Sequence, residues 1–271
     1  MNHTETNNHR MKKAIGIGAI ALLSVILIAA IILSCLYLFL PKSNPQYVAH
    51  QGYRSQYVGN TAEAFRAAGE MDFYGIETDV RKTADGVFVC CHDETVKFAD
   101  GDEKTVCAST YAELSAKPLK NDKSDTDIRI CTFEKYLQIC KESGKVAIIE
   151  LKETFSLLDV RRLLLLLEGY DRASFSIISF YFSSLLTFKE EDATISLQYL
   201  SETKNDARFD RCLEEGISIS VRQSILTKKL VTSFHEAGLT VNTWTINKRF
   251  DRNIVRIKGV DYVTTDIFDR S

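Results

Sequence analysis

The sequence predicts a closed parallel α/β barrel preceded by one membrane-spanning helix. From residue 47 onward, β-prone apolar runs alternate with amphipathic helical patterns, the rhythm of parallel strands joined by helical crossovers. Residues 14–40 hold no charged side chain, a stretch long enough to cross a bilayer as one helix. The roughly 225 residues that follow suit a single barrel domain.

Taken in order, Arg10, Lys12 and Lys13 precede the apolar run and only Lys42 follows it closely. The positive-inside bias therefore puts a tail of residues 1–13 in the cytoplasm and everything after Pro41 outside a cell membrane crossed once. A cleaved or lipidated leader is the competing reading, suggested by the basic start and by Leu33-Ser34-Cys35. The apolar run is nevertheless longer than an ordinary signal core and continues past Cys35. Residues 41–46 read as a linker, and residues 47–271 as the barrel.

Candidate strands are 47–50, 75–80, 87–92, 146–152, 174–180, 194–200, 217–221, 240–246 and 262–265, each an apolar, β-branched or aromatic run. Helical patterns lie at 62–71, 133–143, 156–167, 207–215, 226–237 and 249–257. Gly144, Gly169, Gly216, Gly238 and Gly259 fall just after these patterns, where left-handed C-caps are expected. One junction departs from the rhythm. Residues 81–86 are too few for a parallel crossover, and Thr83-Ala84-Asp85-Gly86 signals an antiparallel hairpin. An Asp-Gly turn there sets Asp79 opposite His92, and a tighter register sets Glu77 opposite it. Residues 98–130 are polar and weakly patterned apart from 109–115, and read as a surface insertion able to cover a site.

A net charge of −2, from 34 basic and 36 acidic residues of interspersed sign, forms no basic stripe and gives nucleic acid no electrostatic footing. Of the seven cysteines, Cys90 and Cys91 are adjacent on a strand and point to opposite faces, so they are poorly placed to pair. With no CxxC spacing, buried thiols are expected.

Chemistry concentrates at the strand ends. Glu77 and Asp79, two residues apart on one strand, project from the same face. Paired buried carboxylates repel unless a cation or proton compensates them, and an all-oxygen set suits Mg²⁺ or Ca²⁺. Glu150, amid β-branched neighbours on a run that otherwise reads as fully buried, is a third ligand candidate. His50 and His92 end separate strands and form a candidate general acid/base pair for hydrolysis beside such a metal.

These residues sit in an ordered series: His50-Gln51-Gly52, Gly59-Asn60-Thr61, Glu77-Thr78-Asp79-Val80, Thr83-Ala84-Asp85-Gly86, His92-Asp93, Glu150-Leu151-Lys152, Trp244-Thr245-Ile246-Asn247 and Thr265-Asp266. The series resembles the glycerophosphodiester phosphodiesterase family, whose pattern runs His-Arg-Gly, Glu-Asn-Thr, Glu-x-Asp-Val, Thr-x-Asp-Gly, His-Asp, Glu-x-Lys, Trp-Thr-x-Asn and Thr-Asp. The resemblance implies a TIM (β/α)8 barrel of the phospholipase C-like type. It also implies His50 and His92 as acid and base, and Glu77, Asp79 and Glu150 as ligands of a divalent cation. By the same resemblance, Lys152 lies near the phosphate and Trp244 on the alcohol side. Two positions depart from it: Gln51 stands where the family has arginine, and Gly59 where it has glutamate. Glutamine cannot reproduce the bidentate, permanently charged phosphate contact of a guanidinium. The two changes read as the linked loss of a charge pair near His50, with Arg54 able to substitute in part if it turns back toward the site.

The expected activity is metal-dependent hydrolysis of a glycerophosphodiester, small or lipid-derived, to an alcohol and glycerol 3-phosphate. The alternatives are a weakened or inactive barrel that binds phosphodiesters or envelope polymer, and attack by a substrate hydroxyl that releases a cyclic phosphate.

Overall fold

The computed structural model describes residues 22–32, 42–123 and 127–267. Residues 22–32 form a helix with exposed apolar side chains. The rest of the expected span 14–40 lies outside the described residues. Among the described residues, no helix is long and apolar enough to cross a membrane.

In the unit beginning at Ser43, the strands are β1 (Gln46–Ala49), β2 (Gly75–Lys82), β3 (Phe88–Cys90), β4 (Thr95–Lys97), β5 (Glu103–Thr105), β6 (Cys131–Thr132), β7 (Val146–Leu151), β8 (Phe175–Ser179), β9 (Ser196–Ser201), β10 (Ser218–Arg222), β11 (Val241–Trp244) and β12 (Tyr262–Thr265). Eight of them, β1, β2 and β7 to β12, pair in parallel. Because β1 bonds both β12 and β2, the sheet closes into the expected barrel.

The helices are α1 (Ala62–Gly69), α2 (Tyr111–Ser115), α3 (Phe133–Ser143), α4 (Leu157–Leu166), α5 (Phe182–Glu191), α6 (Arg208–Glu215), α7 (Lys228–Glu236) and α8 (Arg249–Lys258). Thr61, Thr132, Ser156 and Thr227 each accept a backbone N–H in the first turn of α1, α3, α4 and α7, satisfying donors the helix leaves unpaired. The five glycines expected to end helical patterns all have positive φ. Helix α5 carries no pattern in the sequence strong enough to announce it. Its inner residues Leu185 and Phe188 are interleaved with Ser183, Ser184 and Thr187, and no side chain caps its start.

Alternation along each barrel strand produces two apolar layers. Residues such as Ile76, Val80, Ile149, Ile177 and Val221 point outward and pack against the helices in the main core. Inside the barrel, Val48, Ile148, Ile178 and Leu200 form a smaller plug. Residues two places further along these strands reach the C-terminal rim, where functional side chains of this architecture stand.

β2 outruns its barrel partners and turns into an antiparallel hairpin with β3. The hairpin exists as expected, but its register falls between the two proposed ones: Val80 pairs Cys90, and Cys91 N–H bonds the Asp79 carbonyl. Thr83 N–H bonds the Val87 carbonyl, so the loop has three residues, Ala84 to Gly86, and Gly86 takes the left-handed conformation. A three-residue loop shifts the pairing by one from that of a two-residue turn, so His92 lies beyond the ladder and faces no carboxylate across it.

The insertion is more ordered than its polar sequence suggests. Val89, Val96, Phe98, Val106, Leu114 and Ile130 form their own small core, and β4 pairs with β5. The six described cysteines are free, with Cys90, Cys131, Cys140 and Cys212 buried as expected.

Candidate active site

The parallel register of β2 and β7 sets Asp79 directly beside Glu150, and Glu77 lies two residues earlier on the same face of β2. Ligand oxygens of Glu77, Asp79 and Glu150 all lie within 4.8 Å of one another, and all three side chains are largely buried. Burial first, then the charges of Asp79 and Glu150, push the Glu77 carboxyl well above the ordinary glutamate range. Glu150 is raised by burial and by Asp79, with Lys152 opposing. Burial works against the Lys152 ammonium, yet Glu150 and Asp79 outweigh it and raise that group. Its Nζ lies 2.8 Å from Glu150 Oε1 and 3.6 Å from Asp79 Oδ1.

One lysine for three carboxylates leaves the cluster short of positive charge. The hydrogen bonds show where the gap is. Glu77 Oε2 accepts from Gln51 N–H at 2.8 Å, and Asp79 Oδ2 accepts from the amides of Gln51 and Asn60, each at 2.7 Å. Among the described residues, Glu77 Oε1 is buried without a hydrogen-bond partner. A buried unpaired carboxylate oxygen is costly unless a cation takes it, and an all-oxygen set suits Mg²⁺ or Ca²⁺. The three carboxylates fit a divalent cation.

The loop after β1 wraps this cluster. Gln51 and Asn60 both adopt positive φ. Asn60 tolerates this better than most residues, and its side chain repays the cost by bonding Thr78 Oγ1 at 2.8 Å and Asp79 N–H at 3.2 Å. Gly59 adjoins Gln51: a Cβ there would lie 2.7 Å from Gln51 Oε1 and 3.0 Å from Gln51 Cβ. The two departures from the family pattern therefore touch each other. Gln51 is buried and turned toward Asp79. Arg54 turns back toward the site, its guanidinium 3.6 Å from Asp266 Oδ1 and 3.5 Å from His50 Nδ1.

Each histidine is held through Nδ1. His50 Nδ1 lies 2.6 Å from Asp266 Oδ1, and His92 Nδ1 lies 2.8 Å from Asp93 Oδ1. A carboxylate only accepts, so Nδ1 carries the proton in both rings and Nε2 is left to act on a ligand. Asn247 grips Asp266 from both sides, donating to Oδ2 at 2.6 Å and accepting the Asp266 N–H at 2.9 Å. Burial tends to raise the Asp266 carboxyl, but bonds from His50 and Asn247 outweigh it and hold it below its ordinary value.

His50, Glu77, His92, Glu150 and Lys152 line one cavity of about 280 Å³ at the C-terminal rim, with Phe180 and Trp244 on its far wall. Those two rings meet edge to face with centroids 5.9 Å apart, and the indole N–H bonds the Ser220 carbonyl at 3.2 Å. Glu202, Leu200 and Thr264 complete that side. A second cavity of about 390 Å³ shares His92 with the first and is lined by Gln51 and Gly59, by Lys97 of β4 and by Lys120 of the insertion.

The Glycerophosphoryl diester phosphodiesterase family model matches residues 50–270. This chain belongs to that family. It is accordingly an enzyme, a phosphoric diester hydrolase. The chain is 26% identical over 234 residues to a glycerophosphodiester phosphodiesterase of Bacillus altitudinis, covering 82% of this chain and 95% of that one. Among solved structures, it is similar to the glycerophosphodiester phosphodiesterase of Thermotoga maritima, with a TM-score of 0.68 and 25% identity over 82% of this chain and 95% of that one. An Oleispira antarctica phosphodiesterase in complex with the product sn-glycerol-3-phosphate shares the fold at a TM-score of 0.73 and 21% identity, covering 82% and 93% of the two chains.

Of the residues singled out in the sequence, His50, His92, Glu77, Glu150, Lys152 and Trp244 share one cavity, and Asp79 lies behind its carboxylates. Gln51 lines the adjoining cavity instead. The orienting roles of Asp93, Asp266, Asn247 and Asn60 have no signature beyond membership in family motifs, and Phe180 and Glu202 carry none at all.

Glu77 and Glu150, raised in the folded state, bind more protons there than in the unfolded chain. Metal-free stability therefore falls as pH rises above the ordinary glutamate range of about 4.3. The same protons compete with a cation, so Mg²⁺ or Ca²⁺ should stabilise the protein at pH 8 and barely at pH 5. At a hundred times Kd the gain is about 2.7 kcal/mol, or roughly 5–10 °C in Tm by scanning calorimetry. Glu77→Gln should abolish that response and raise the metal-free Tm.

Proposed function

We propose that this protein hydrolyses glycerophosphodiesters to an alcohol and glycerol 3-phosphate, using Mg²⁺ or Ca²⁺ bound by Glu77, Asp79 and Glu150. The observation that carries the proposal is the shared cavity: two imidazoles, each with Nδ1 tied to a carboxylate, facing a buried carboxylate trio with an orphaned oxygen. A bound divalent cation supplies Lewis-acid polarisation of the phosphoryl group.

The chain's own residues do the remainder. Lys152 sits in the cavity wall and donates to a phosphoryl oxygen of the bound diester. One histidine, neutral at the start, takes a proton at Nε2 from the attacking water or substrate hydroxyl, and the other, starting as the imidazolium, gives its Nε2 proton to the departing alkoxide. Asp266 and Asp93 stabilise whichever ring is cationic at each stage. Phe180 and Trp244 offer an apolar wall to the carbon skeleton on the alcohol side and restrict water there. Residues 14–40 anchor this barrel to the outer face of a membrane, a reading supported by their lack of charge and the basic residues before them.

Purified protein with Mg²⁺ or Ca²⁺ should release glycerol 3-phosphate from glycerophosphodiesters, and His50→Ala or His92→Ala should each lower kcat by about a hundredfold or more. Absence of release with any metal would leave a binding module, and a cyclic product would identify attack by a substrate hydroxyl. Gln51→Arg combined with Gly59→Glu should lower KM by about tenfold through a restored guanidinium contact. Gly59→Glu alone should push Gln51 off Asp79 and weaken the metal-induced Tm shift. Protease added to intact cells should cleave the barrel from its anchor and leave the 1–13 tail protected; a protected barrel would overturn the proposed orientation.

A further inference from the structure

We infer that Arg81 is a positioning residue for His92. Strand β2 presents Glu77, Asp79 and Arg81 at alternate positions, so all three side chains project from one face. The first two form the carboxylate cluster. The third sends both Nε and Nη2 to a single acceptor, the main-chain carbonyl of His92, at 3.2 and 2.9 Å.

His92 needs such a restraint. The β2–β3 ladder ends at Val80 and Cys90, and the last main-chain bond of this strand end is Cys91 N–H to Asp79 carbonyl. Beyond it, the His92 side chain is 54% exposed, and among the described residues its one hydrogen-bond partner is its own neighbour Asp93, itself exposed. The contrast with His50 is sharp: that ring is held by Asp266, which Asn247 clamps in turn. Among the described residues, nothing comparable grips His92 through its ring. The His92 backbone is instead fastened to β2 by the guanidinium of Arg81, a residue that is only 8% exposed.

A permanent charge on a largely buried residue is an expensive way to close a hairpin, which ordinary ladder bonds achieve without desolvating an ion. It is an economical way to hold an acid/base group at a set distance from the carboxylate cluster, because β2 carries both Glu77 and Asp79 and the guanidinium that grips the His92 carbonyl. The planar fork keeps the two donors converging on one oxygen, whereas a lysine retains charge and reach but offers one donor direction. Placement errors near 1 Å cost roughly a hundredfold in rate, so a hairpin that drifts by that much defeats the reaction while leaving the cluster intact.

This inference rests on the proposed hydrolysis, and the test separates the two. In the full-length protein, Arg81→Ala should lower kcat for glycerol 3-phosphate release by about a hundredfold, with KM and the Mg²⁺-induced Tm shift retained. Arg81→Lys should recover part of kcat. Unchanged kcat per folded molecule in Arg81→Ala, or a loss confined to KM, would overturn the inference and leave Arg81 a hairpin brace. Should wild-type protein release no product, the hydrolase reading fails by itself, and NMR of the His92 imidazole decides this one. A single sharp set of ring signals in wild type that broadens or splits in Arg81→Ala and narrows again in Arg81→Lys supports positioning. Identical ring signals in all three overturn it.

Discussion

Three carboxylates buried within 4.8 Å of one another are the constraint around which the site is organised. Like charges at that range in a low-dielectric interior repel strongly, and burial first, then the neighbouring carboxylates, raise Glu77 and Glu150. The surroundings answer with donors: the Gln51 backbone and amide, the Asn60 amide and the Lys152 ammonium. They still leave Glu77 Oε1 unpaired. Left-handed backbone at Gln51 and Asn60, costly elsewhere, is retained because it aims those donors inward.

The acid/base pair is built by two different routes. His50 is anchored by barrel elements: its ring bonds Asp266, which follows the last strand, and Asn247, from the loop after β11, fixes Asp266. The first and last strands are neighbours in the closed sheet, so barrel closure itself creates this contact between residues far apart in the chain. His92 stands on a hairpin that projects from the rim, and its position depends on how firmly β2 holds that hairpin. The rigid half and the projecting half meet over one cavity.

The insertion takes part in the site's architecture through backbone contacts. Lys123 Nζ bonds the carbonyls of Arg54 and Tyr57, bracing the loop that carries His50, Gln51 and Gly59. Its Lys120, with Lys97 of β4, lines the cavity that opens beside Gly59. The glycine and the glutamine are one local feature, because a Cβ at position 59 would crowd the Gln51 side chain that reaches Asp79.

Barrel class, strand order and the identity of the acids and histidines were legible because they are local: alternation of apolar runs marks strands, and the spacing of Glu77 and Asp79 guarantees a shared face. Helix α5 was not, since its serines and threonine blur the apolar stripe. The hairpin register was misjudged by one residue because an Asp-Gly pair closes either a two-residue or a three-residue loop, and hydrogen bonding by Thr83 selects the longer. What only the tertiary structure decided are the pairings between distant segments: Asp79 beside Glu150, Asp266 on His50, Gly59 against Gln51 and Arg81 on the His92 carbonyl. A sequence specifies which groups a strand presents to a face. Which groups then meet is set by the registers of the closed sheet and by the loops folded over its rim.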